Sequence, residues 1–457
     1  MNTESKRDFY KKIFLITLPI VIQNLLDAAV NSVDVLMLNY VGQSAISASS
    51  LAAQYSNIVY ILFFGMASGL TMMAAQYWGK KDVDTIEKIE GISLRYSVII
   101  SALVSILCIA IPEKMMFIFT DDAELISLGA DYLRIVGFGF IAWSISTTYM
   151  ATLRSVGRVA IVTALEASAL ILNVLLNAVF IFGLFGAPIL GLKGVALATV
   201  LSRLIQLVLC IVVSLFSKDV KLCVKPAFER HKELHRDFLH MAVPAIMNDV
   251  IWQLAFSVYS VIYGHLGTDV VAANSIVSVV RNLGCVLCWA IGSATGIILG
   301  PVLGRGEIEV AKRQSRILFR LSAYAGVLGG IVILALTPFT VQVADISELS
   351  KEYLRFMLLV NSVYIMGTAV NTTLIVGVFR SGGDSKWGFW CDTIDMWVYA
   401  VPLGLLAAFV FKLPVKVVYI LLCTDEFVKW PAVFKHFFSY KWAKNITREV
   451  DITEKSE

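Results

Sequence analysis

The chain has 457 residues, of which 58% are apolar or aromatic and only 16% are charged. Soluble globular proteins are about 45–50% apolar and about 25% charged, so this composition excludes a disordered, collagen-like or nucleic-acid-wrapping protein and disfavours a soluble enzyme. The 38 basic and 34 acidic residues leave a net charge of only +4, so the placement of charge matters more than the total. Seven cysteines lie mostly in apolar stretches and lack the spacing of a disulfide framework.

About twelve stretches are long and apolar enough to cross a bilayer as helices, since a helical span needs about 20 apolar residues. The first stretch follows a basic segment and is too long for a signal peptide, so we expect it to be retained. The predicted spans are 13–38, 45–77, 92–111, 128–153, 160–183, 190–216, 238–263, 269–301, 315–337, 352–379, 387–411 and 413–433.

Lysine and arginine are distributed unevenly between the connections. If the N-terminus is cytoplasmic, that side and the two tails hold 29 of the 38 basic residues and the opposite side holds seven. Cytoplasmic loops carry such an excess, so we expect a multi-pass protein of the cell membrane with both termini in the cytoplasm. Two arginines, Arg203 and Arg281, remain inside spans.

The chain is duplicated. A polar linker at 217–237 separates an N-lobe, 1–216, from a C-lobe with its tail, 238–457. Each part holds an even number of spans, which predicts an all-α polytopic protein of two six-helix lobes related by a pseudo-two-fold axis along the membrane normal. Such parallel repeats occur in secondary transporters, whose binding site lies between the lobes. At a constant offset of 225, the pairs are Pro19 and Pro244, Gly42 and Gly267, Ala48 and Ala273, and Gly79 and Gly304.

Polar residues line one face of the first span. Charged groups in lipid cost about 2.5–3.5 kcal/mol on insertion scales, so carboxylates within spans are functional candidates. At 100° per residue the stripe covers a narrow arc, and its two carboxylates favour a function over the alternative, hydrogen bonding between helices. The stripe consists of Gln23, Asn24, Asp27, Asn31 and Asp34.

The fifth span carries Asn173 and Asn177, which stack on one helix face at i,i+4 spacing. Their amide oxygens can coordinate a small hard cation or form hydrogen bonds between helices. Thr199 in the sixth span is a weaker signal, since its hydroxyl can bond to its own helix.

The seventh and eighth spans, like the first, carry polar residues among apolar ones. Asp249 and Gln253 flank Trp252 in the seventh span, and Arg281 in the eighth needs a partner, for which Asp249 is one possibility. Trp252 and Tyr259 are candidates for a cavity that receives organic cations, although packing and interfacial belts also account for aromatic residues.

Asp392 and Asp395 share a face of the eleventh span, and Asp392 aligns with Glu166 of the fifth span at an offset of 226. These acids have either a transport role or a structural one, in which they pair with nearby basic residues and lock each lobe. The candidate basic partners are Arg154, Arg158, Arg380 and Lys386.

Pro19 and Pro244 each remove one helical donor near the start of a lobe, which permits bending.

The chain contains no G-x-x-x-x-G-K-[ST] phosphate-binding loop. Uphill transport would therefore draw on an ion gradient, with no cofactor, no ATP-binding partner and no nucleic acid. The five histidines lack metal-ligand spacing.

These residues resemble the prokaryotic branch of the MATE family, the multidrug and toxic compound extrusion transporters. The resemblance covers about residues 11–448, and its motifs are specific when taken together. It is carried by LPIVIQNLLDAAVNSVDVLMLNYVGQSAISASSLA, LRSVGRVAIVTALEASALILNVLLNAVFIFG, GLKGVALATVLS, VPAIMNDVIWQLAFSVYSVIYGHLGTDVVAANSI and FRSGGDSKWGFWCDTIDMWVYAVPLG.

By this resemblance, Asp34 matches the family's ion-coupling carboxylate in the first span. Asn173, Asn177 and Thr199 match the positions that join it in cation coordination or a hydrogen-bond network. Some relatives carry a second carboxylate where Asn177 stands, so the amide here leaves Na+ and H+ coupling both open. Trp252 occupies a position that is acidic in some members.

The resemblance implies a monomeric, ion-coupled antiporter that exports organic compounds, cationic or amphipathic, from the cell. The alternative within transport is a flippase for lipid-linked substrates, for which Arg203 and Arg281 supply few cleft cations. An intramembrane enzyme would have to use the Asp392 and Asp395 pair, and the duplication disfavours a channel.

Overall fold

The computed structural model describes residues 3–229 and 231–448, without the side chains of residues 3–5, 31, 35 and 39. Within these ranges the chain is helical and contains no β-strand. The N-terminal half holds α1 (Thr3–Asn39), α2 (Gln43–Gly79), α3 (Val83–Ala110), α4 (Pro112–Phe117), α5 (Ala123–Gly137), α6 (Gly139–Ser155), α7 (Val159–Phe182) and α8 (Leu192–Phe216). The C-terminal half holds α9 (Lys232–Leu266), α10 (Thr268–Gly304), α11 (Ile308–Val343), α12 (Glu348–Asn371), α13 (Ser385–Thr393), α14 (Val401–Leu405), α15 (Val415–Leu422), α16 (Asp425–Val428) and α17 (Trp430–Ser439).

The predicted spans correspond to helices that are longer than the apolar windows. Within the described residues, ten helices are long and apolar enough to cross a membrane, counting the wider turns that extend α12 to Phe379 and join α13 and α14. The fourth predicted span is a pair of helices, α5 and α6, bent by 48°. Since hydropathy marks only the segment in lipid, it misses polar ends such as that of α9, which begins at Lys232 inside the predicted linker.

The twelfth predicted span, 413–433, is broken into α15, α16 and the start of α17. The break falls where Asp425, Glu426 and Lys429 occur, and all three are buried within the protein. A continuous helix facing lipid would have exposed these charges to hydrocarbon. The broken segment instead turns them toward the other helices of its lobe.

The two halves pack by the same plan, so the predicted duplication is confirmed. In the N-lobe, α2 packs on α3 and α6 while α1 packs on α7; in the C-lobe, α10 packs on α11 and α12 while α9 packs on α13. The lobes meet where α2 lies against α9 and α10, and where α1 lies against α10. Since α1 corresponds to α9 and α2 to α10, this interface has an approximate two-fold relation.

Repeated glycines show that the duplication extends to the backbone. Gly42 precedes α2 with φ 125° and Gly267 precedes α10 with φ 127°. The turns after α6 and α12 repeat in the same way, with φ 82° at Gly157 and 78° at Gly383. Residues with a Cβ rarely adopt such angles, which accounts for glycine at the same place in each lobe.

The lobes touch closely at one end of the molecule. We call it the basic end, and it holds the connections at 80–82, 217–229 and 305–307 and the tail at 440–448. There Gly79 lies against Pro301, and Gly304 lies against the backbone of Gln76. At both positions a Cβ would overlap backbone atoms of the other lobe. The absence of side chains therefore allows this end to close.

The C-terminal tail reinforces the closed end. Gln76 of the N-lobe donates to the carbonyl oxygens of Ser381 (2.8 Å) and Lys444 (3.1 Å), and its own oxygen accepts from the amide of Ile446 (2.9 Å). Arg448 binds Asp237 through its guanidinium (2.7 Å) and donates its backbone amide to Tyr77 (3.1 Å). The tail thus bridges both lobes.

We expect Gly304→Ala to destabilise this arrangement, because the new methyl group overlaps the Gln76 backbone, which cannot rotate away. Overpacking of this kind costs about 1–3 kcal/mol, so the melting temperature of the purified protein should fall by several degrees in thermal unfolding. Gly264→Ala is the control, since its methyl group meets nothing within 4 Å. Equal melting temperatures for the two variants would contradict the close approach.

Candidate functional site

Four polar residues of three N-lobe helices form one hydrogen-bonded chain. Asn177 donates to the Asp34 carboxylate (2.9 Å) and lies 3.3 Å from the Asn173 oxygen. Asn173 donates to the Thr199 hydroxyl (3.4 Å), which donates to the Val195 carbonyl oxygen (3.0 Å). The structure therefore brings together α1, α7 and α8 through the four residues that the sequence suggested.

The helix geometry explains why these side chains meet. Asn173 and Asn177 are one turn apart on the face of α7 that packs against both α1 and α8. Beside them, the ends of the helices are held by an apolar cluster. That cluster consists of Leu38, Ala45, Ala48, Ile181, Leu192 and Val195.

The chemistry of this group suits a small hard cation or a proton. Its acceptors are carboxylate, amide and hydroxyl oxygens, the ligands that hard cations prefer. Asn177 is buried, and within the described part of the chain its Oδ1 atom has no hydrogen-bond partner. Asp34 is half-buried and supplies the carboxylate of the group.

The rest of the predicted stripe on α1 does not join this chain. Asn24 donates to the Val286 carbonyl oxygen of α10 (3.3 Å), which makes it a contact between the lobes. Asp27 is half-buried, and no hydrogen bond joins it to the described residues. The side chain of Asn31 lies outside the described residues.

Glu166 has a partner that differs from the expected one. It accepts a hydrogen bond from Gln206 (3.1 Å) and lies 4.0 Å from the Arg203 guanidinium, rather than pairing with Arg154 or Arg158. Arg158 pairs with Asp219 instead (2.6 Å). Both Glu166 and Arg203 lie within the lobe, where mutual neutralisation lowers the cost of burial.

The C-lobe repeats this arrangement with more charge. Lys429 lies 3.1 Å from Asp392, 3.5 Å from Asp395 and 3.2 Å from Glu426, and all four are buried. Lys429 therefore takes the role expected of Arg380 or Lys386, because the broken twelfth segment turns it inward. Lys429 is one of the 29 basic residues assigned above to the cytoplasmic side and tails, and that prediction is wrong for this residue because it is buried within the lobe.

Asp249 is also paired differently from the expectation. It accepts a hydrogen bond from Arg380 (2.8 Å), which binds Asn248 (2.8 Å) and, across the lobe interface, Ser68 (3.1 Å). The buried Arg380 binds two adjacent residues of α9, Asn248 and Asp249. Asp249 is therefore paired with Arg380 and not with Arg281. We assign Asp249 to the lobe contact rather than to the cleft.

The other predicted cleft residues of the C-lobe line one cavity of about 290 Å³. Trp252, Gln253 and Tyr259 come from α9 and Arg281 comes from α10. Asp249, Asn24 and Asp27 are not among its lining residues. This cavity lies in the half of the C-lobe away from the basic end.

Sequence reasoning missed much of the wall of this cavity. Asn274, Ser278, Arg281 and Cys285 follow each other at helical spacing along α10, a polar periodicity that could have identified the face. Tyr364 and Tyr419 come from distant parts of the chain, and nothing in the local pattern distinguishes them from packing residues.

No group of three or more histidine, cysteine or acidic side chains within residues 3–229 and 231–448 is arranged to hold a metal ion. Cys285 and Cys288 are buried thiols with no disulfide.

We expect Lys429→Met to be strongly destabilising, because it leaves three buried carboxylates without their shared cation. Breaking a buried pair costs about 3–5 kcal/mol, so the folded yield and melting temperature should fall sharply in size-exclusion and thermal-unfolding assays. Lys416→Met removes an exposed lysine paired with Glu352 (2.5 Å) and should leave both values almost unchanged. A Lys429→Met protein as stable as this control would show that the network does not require the cation.

Comparison with known proteins identifies the family. The MatE family model matches residues 19–179 and 244–406, one match in each lobe. The chain is 24% identical to the uncharacterized transporter YisQ of Bacillus subtilis, over 94% of each chain. It is 22% identical to the probable multidrug resistance protein NorM of Thermotoga maritima, covering 98% of this chain and 96% of that one.

Solved structures share the fold. A transporter described as a multidrug resistance MATE family member in an outward-facing conformation superposes with a TM-score of 0.85 at 18% identity. The match covers 94% of this chain and 96% of that chain. The arrangement of twelve membrane segments in two lobes is therefore shared with that transporter.

Proposed function

We propose that this chain, which belongs to the MatE family of membrane transporters, is an antiporter that exports organic compounds in exchange for Na+ or H+. The observation that carries the proposal is the hydrogen-bonded chain from Asp34 to Thr199. In this chain a half-buried carboxylate lies beside amide and hydroxyl groups of neighbouring helices, which supports the proposal. We assign no catalytic role to any residue.

The uneven distribution of basic residues supports a cytoplasmic basic end with both termini inside the cell. The close contacts of Gly79, Gly304 and Gln76 then shut the cytoplasmic side. The C-lobe cavity lies on the other side of these contacts. We therefore propose that the arrangement seen here is the outward-facing one.

Ion binding and substrate release are linked through Asp34. An ion that arrives from outside would neutralise the carboxylate and compete with the hydrogen bond from Asn177. That competition would change how α1 packs on α7, and the ion drives the exchange only if it binds the two lobe arrangements with different affinities. For Na+, the oxygens of Asp34, Asn173 and Asn177 would supply ligands.

We further propose that residues 1–216 and 238–457 act as the moving units of a monomer, joined by the linker at 217–237. Pro19 and Pro244 each lie inside a continuous helix, at α1 and α9. Each removes one backbone donor, so both helices can bend at the repeated position.

Asp34→Asn should abolish gradient-driven transport, because an amide carries no charge for the ion to neutralise. Proteoliposomes with an imposed Na+ or H+ gradient measure this, with a panel of aromatic dyes of both charges as substrates. The control is Asp84→Asn, which removes an exposed carboxylate paired with Lys88 (2.6 Å). Full transport by Asp34→Asn would refute the coupling role.

Asn177→Asp replaces an amide, whose nitrogen lies 2.9 Å from the Asp34 carboxylate, with a second carboxylate. Two carboxylates attract a metal cation more strongly than one, so we expect Na+ to activate transport at lower concentrations, by about tenfold for about 1.4 kcal/mol of added attraction. Transport rate as a function of Na+ concentration is the measurement. An unchanged half-maximal Na+ concentration would count against direct Na+ binding at this position.

A further inference from the structure

Seven aromatic residues line the cavity in the C-lobe, and Arg281 is the one charged residue among the described residues of its lining. The Arg281 guanidinium lies 5.4 Å from the centre of the Phe256 ring. Among the described residues, no carboxylate lies within the 4.0 Å of a salt bridge to Arg281. An arginine inside a membrane span is costly unless it is paired. A bound anion would supply the pairing that this side chain lacks.

The same cavity holds a second unsatisfied group. Tyr259 is buried, with 4% of its surface exposed, and its hydroxyl has no hydrogen-bond partner among the described residues. A buried hydroxyl without a partner costs about 1–3 kcal/mol. Arg281 and Tyr259 both donate hydrogen bonds, so the ligand that satisfies them together is an acceptor.

Two neighbouring acids are engaged by other residues of the C-lobe. Asp425 accepts from the Tyr364 hydroxyl (3.4 Å), and Glu426 accepts from Thr368 (3.2 Å) and binds Lys429 (3.2 Å). Both acids are buried behind the cavity wall and are absent from its lining. The charge that a ligand meets directly is that of Arg281.

Additional amide and hydroxyl groups surround the aromatic surface. Trp252 and Trp289 supply rings on which a flat ligand can stack, and a cavity of about 290 Å³ admits a small fused-ring compound. The polar lining groups are Gln253, Ser260, Asn274, Ser278 and Asn282.

We infer that this cavity binds aromatic organic anions, such as ring carboxylates, with Arg281 and Tyr259 holding the anionic group. This inference deepens the proposed transport function and rests on it for the statement that such anions are exported substrates. The binding site itself stands on the cavity alone. It differs from the organic-cation preference expected from the sequence.

The test compares three compounds with one ring system and different charge: 2-naphthoate, 2-naphthamide and 2-naphthylmethylammonium. Binding to the purified full-length protein is measured by calorimetry without any ion gradient, so a failure of coupled transport cannot mask it. We expect 2-naphthoate to bind at least about tenfold more tightly than the other two, the effect of one charged hydrogen bond. Tighter binding of the ammonium compound would overturn the inference.

Variants assign the anionic contact. Arg281→Gln should weaken 2-naphthoate by about tenfold or more and leave 2-naphthamide nearly unchanged, while Tyr259→Phe should weaken 2-naphthoate by a smaller factor. Lys416→Gln, which removes a positive charge outside the cavity, should bind all three compounds as the natural protein does. Equal 2-naphthoate affinity in Arg281→Gln and the natural protein would overturn the assignment.

Two further measurements separate folding and coupling from binding. Retained 2-naphthamide binding shows that the Arg281→Gln cavity is intact; if that variant does not fold, Tyr259→Phe carries the test alone, and unchanged 2-naphthoate affinity there overturns the inference. Asp34→Asn should retain 2-naphthoate binding while losing gradient-driven transport, because the two sites lie in different lobes. Transport without Asp34 would contradict only the coupling mechanism.

Discussion

The hydrogen bond from Asn177 to Asp34 reduces the free-energy cost of placing a carboxylate inside the N-lobe. A carboxylate within a membrane span is costly unless it is neutralised or hydrogen-bonded, and in the described part of the chain the bonded partner of Asp34 is the neutral amide of Asn177 rather than a fixed cation. This arrangement leaves the negative charge available to a mobile ion. A permanent salt bridge, such as the one between Lys429 and Asp392 (3.1 Å), would have removed that freedom.

Comparing corresponding positions of the two lobes shows where they differ. Asn173 and Thr199 correspond to Tyr399 and Thr424 at offsets of 226 and 225, and each pair is joined by a contact, 3.4 Å in the N-lobe and 3.0 Å in the C-lobe. At the offset of 225, the position of Asp34 is held by Tyr259. The C-lobe thus keeps the frame of the site without its accessible carboxylate, and its cavity forms beside that tyrosine.

A second repeated pair is structural. Glu166 and Arg203 correspond to Asp392 and Lys429 at the same offset of 226, and both pairs join the fifth and sixth segments of their lobes. These interactions tie the same segments together in each half. Both lobes therefore contain a fixed ion pair at the repeated position. Only the N-lobe contains Asp34, the acid that we propose to bind the mobile ion.

Much of this was predictable from the sequence, and the rest was not for identifiable reasons. Helical spacing placed Asp34 in a polar stripe and Asn173 and Asn177 on one face, and the family resemblance implied that these residues act together. The partners of Arg380 and Lys429 depend on tertiary packing that spacing does not encode, although the offset of 226 between Arg203 and Lys429 was present in the sequence. The start of α17 in the twelfth segment has a local signal in Pro431, whereas the burial of Asp425, Glu426 and Lys429 depends on tertiary packing.

Infrared difference spectroscopy of the purified protein in lipid tests the central claim most directly, because carboxylate bands report protonation and cation coordination without requiring transport. When Na+ or acid is added, the account predicts that the difference spectrum contains one carboxylate component that disappears in Asp34→Asn and persists in Asp84→Asn. A difference spectrum that Asp34→Asn leaves intact would contradict it.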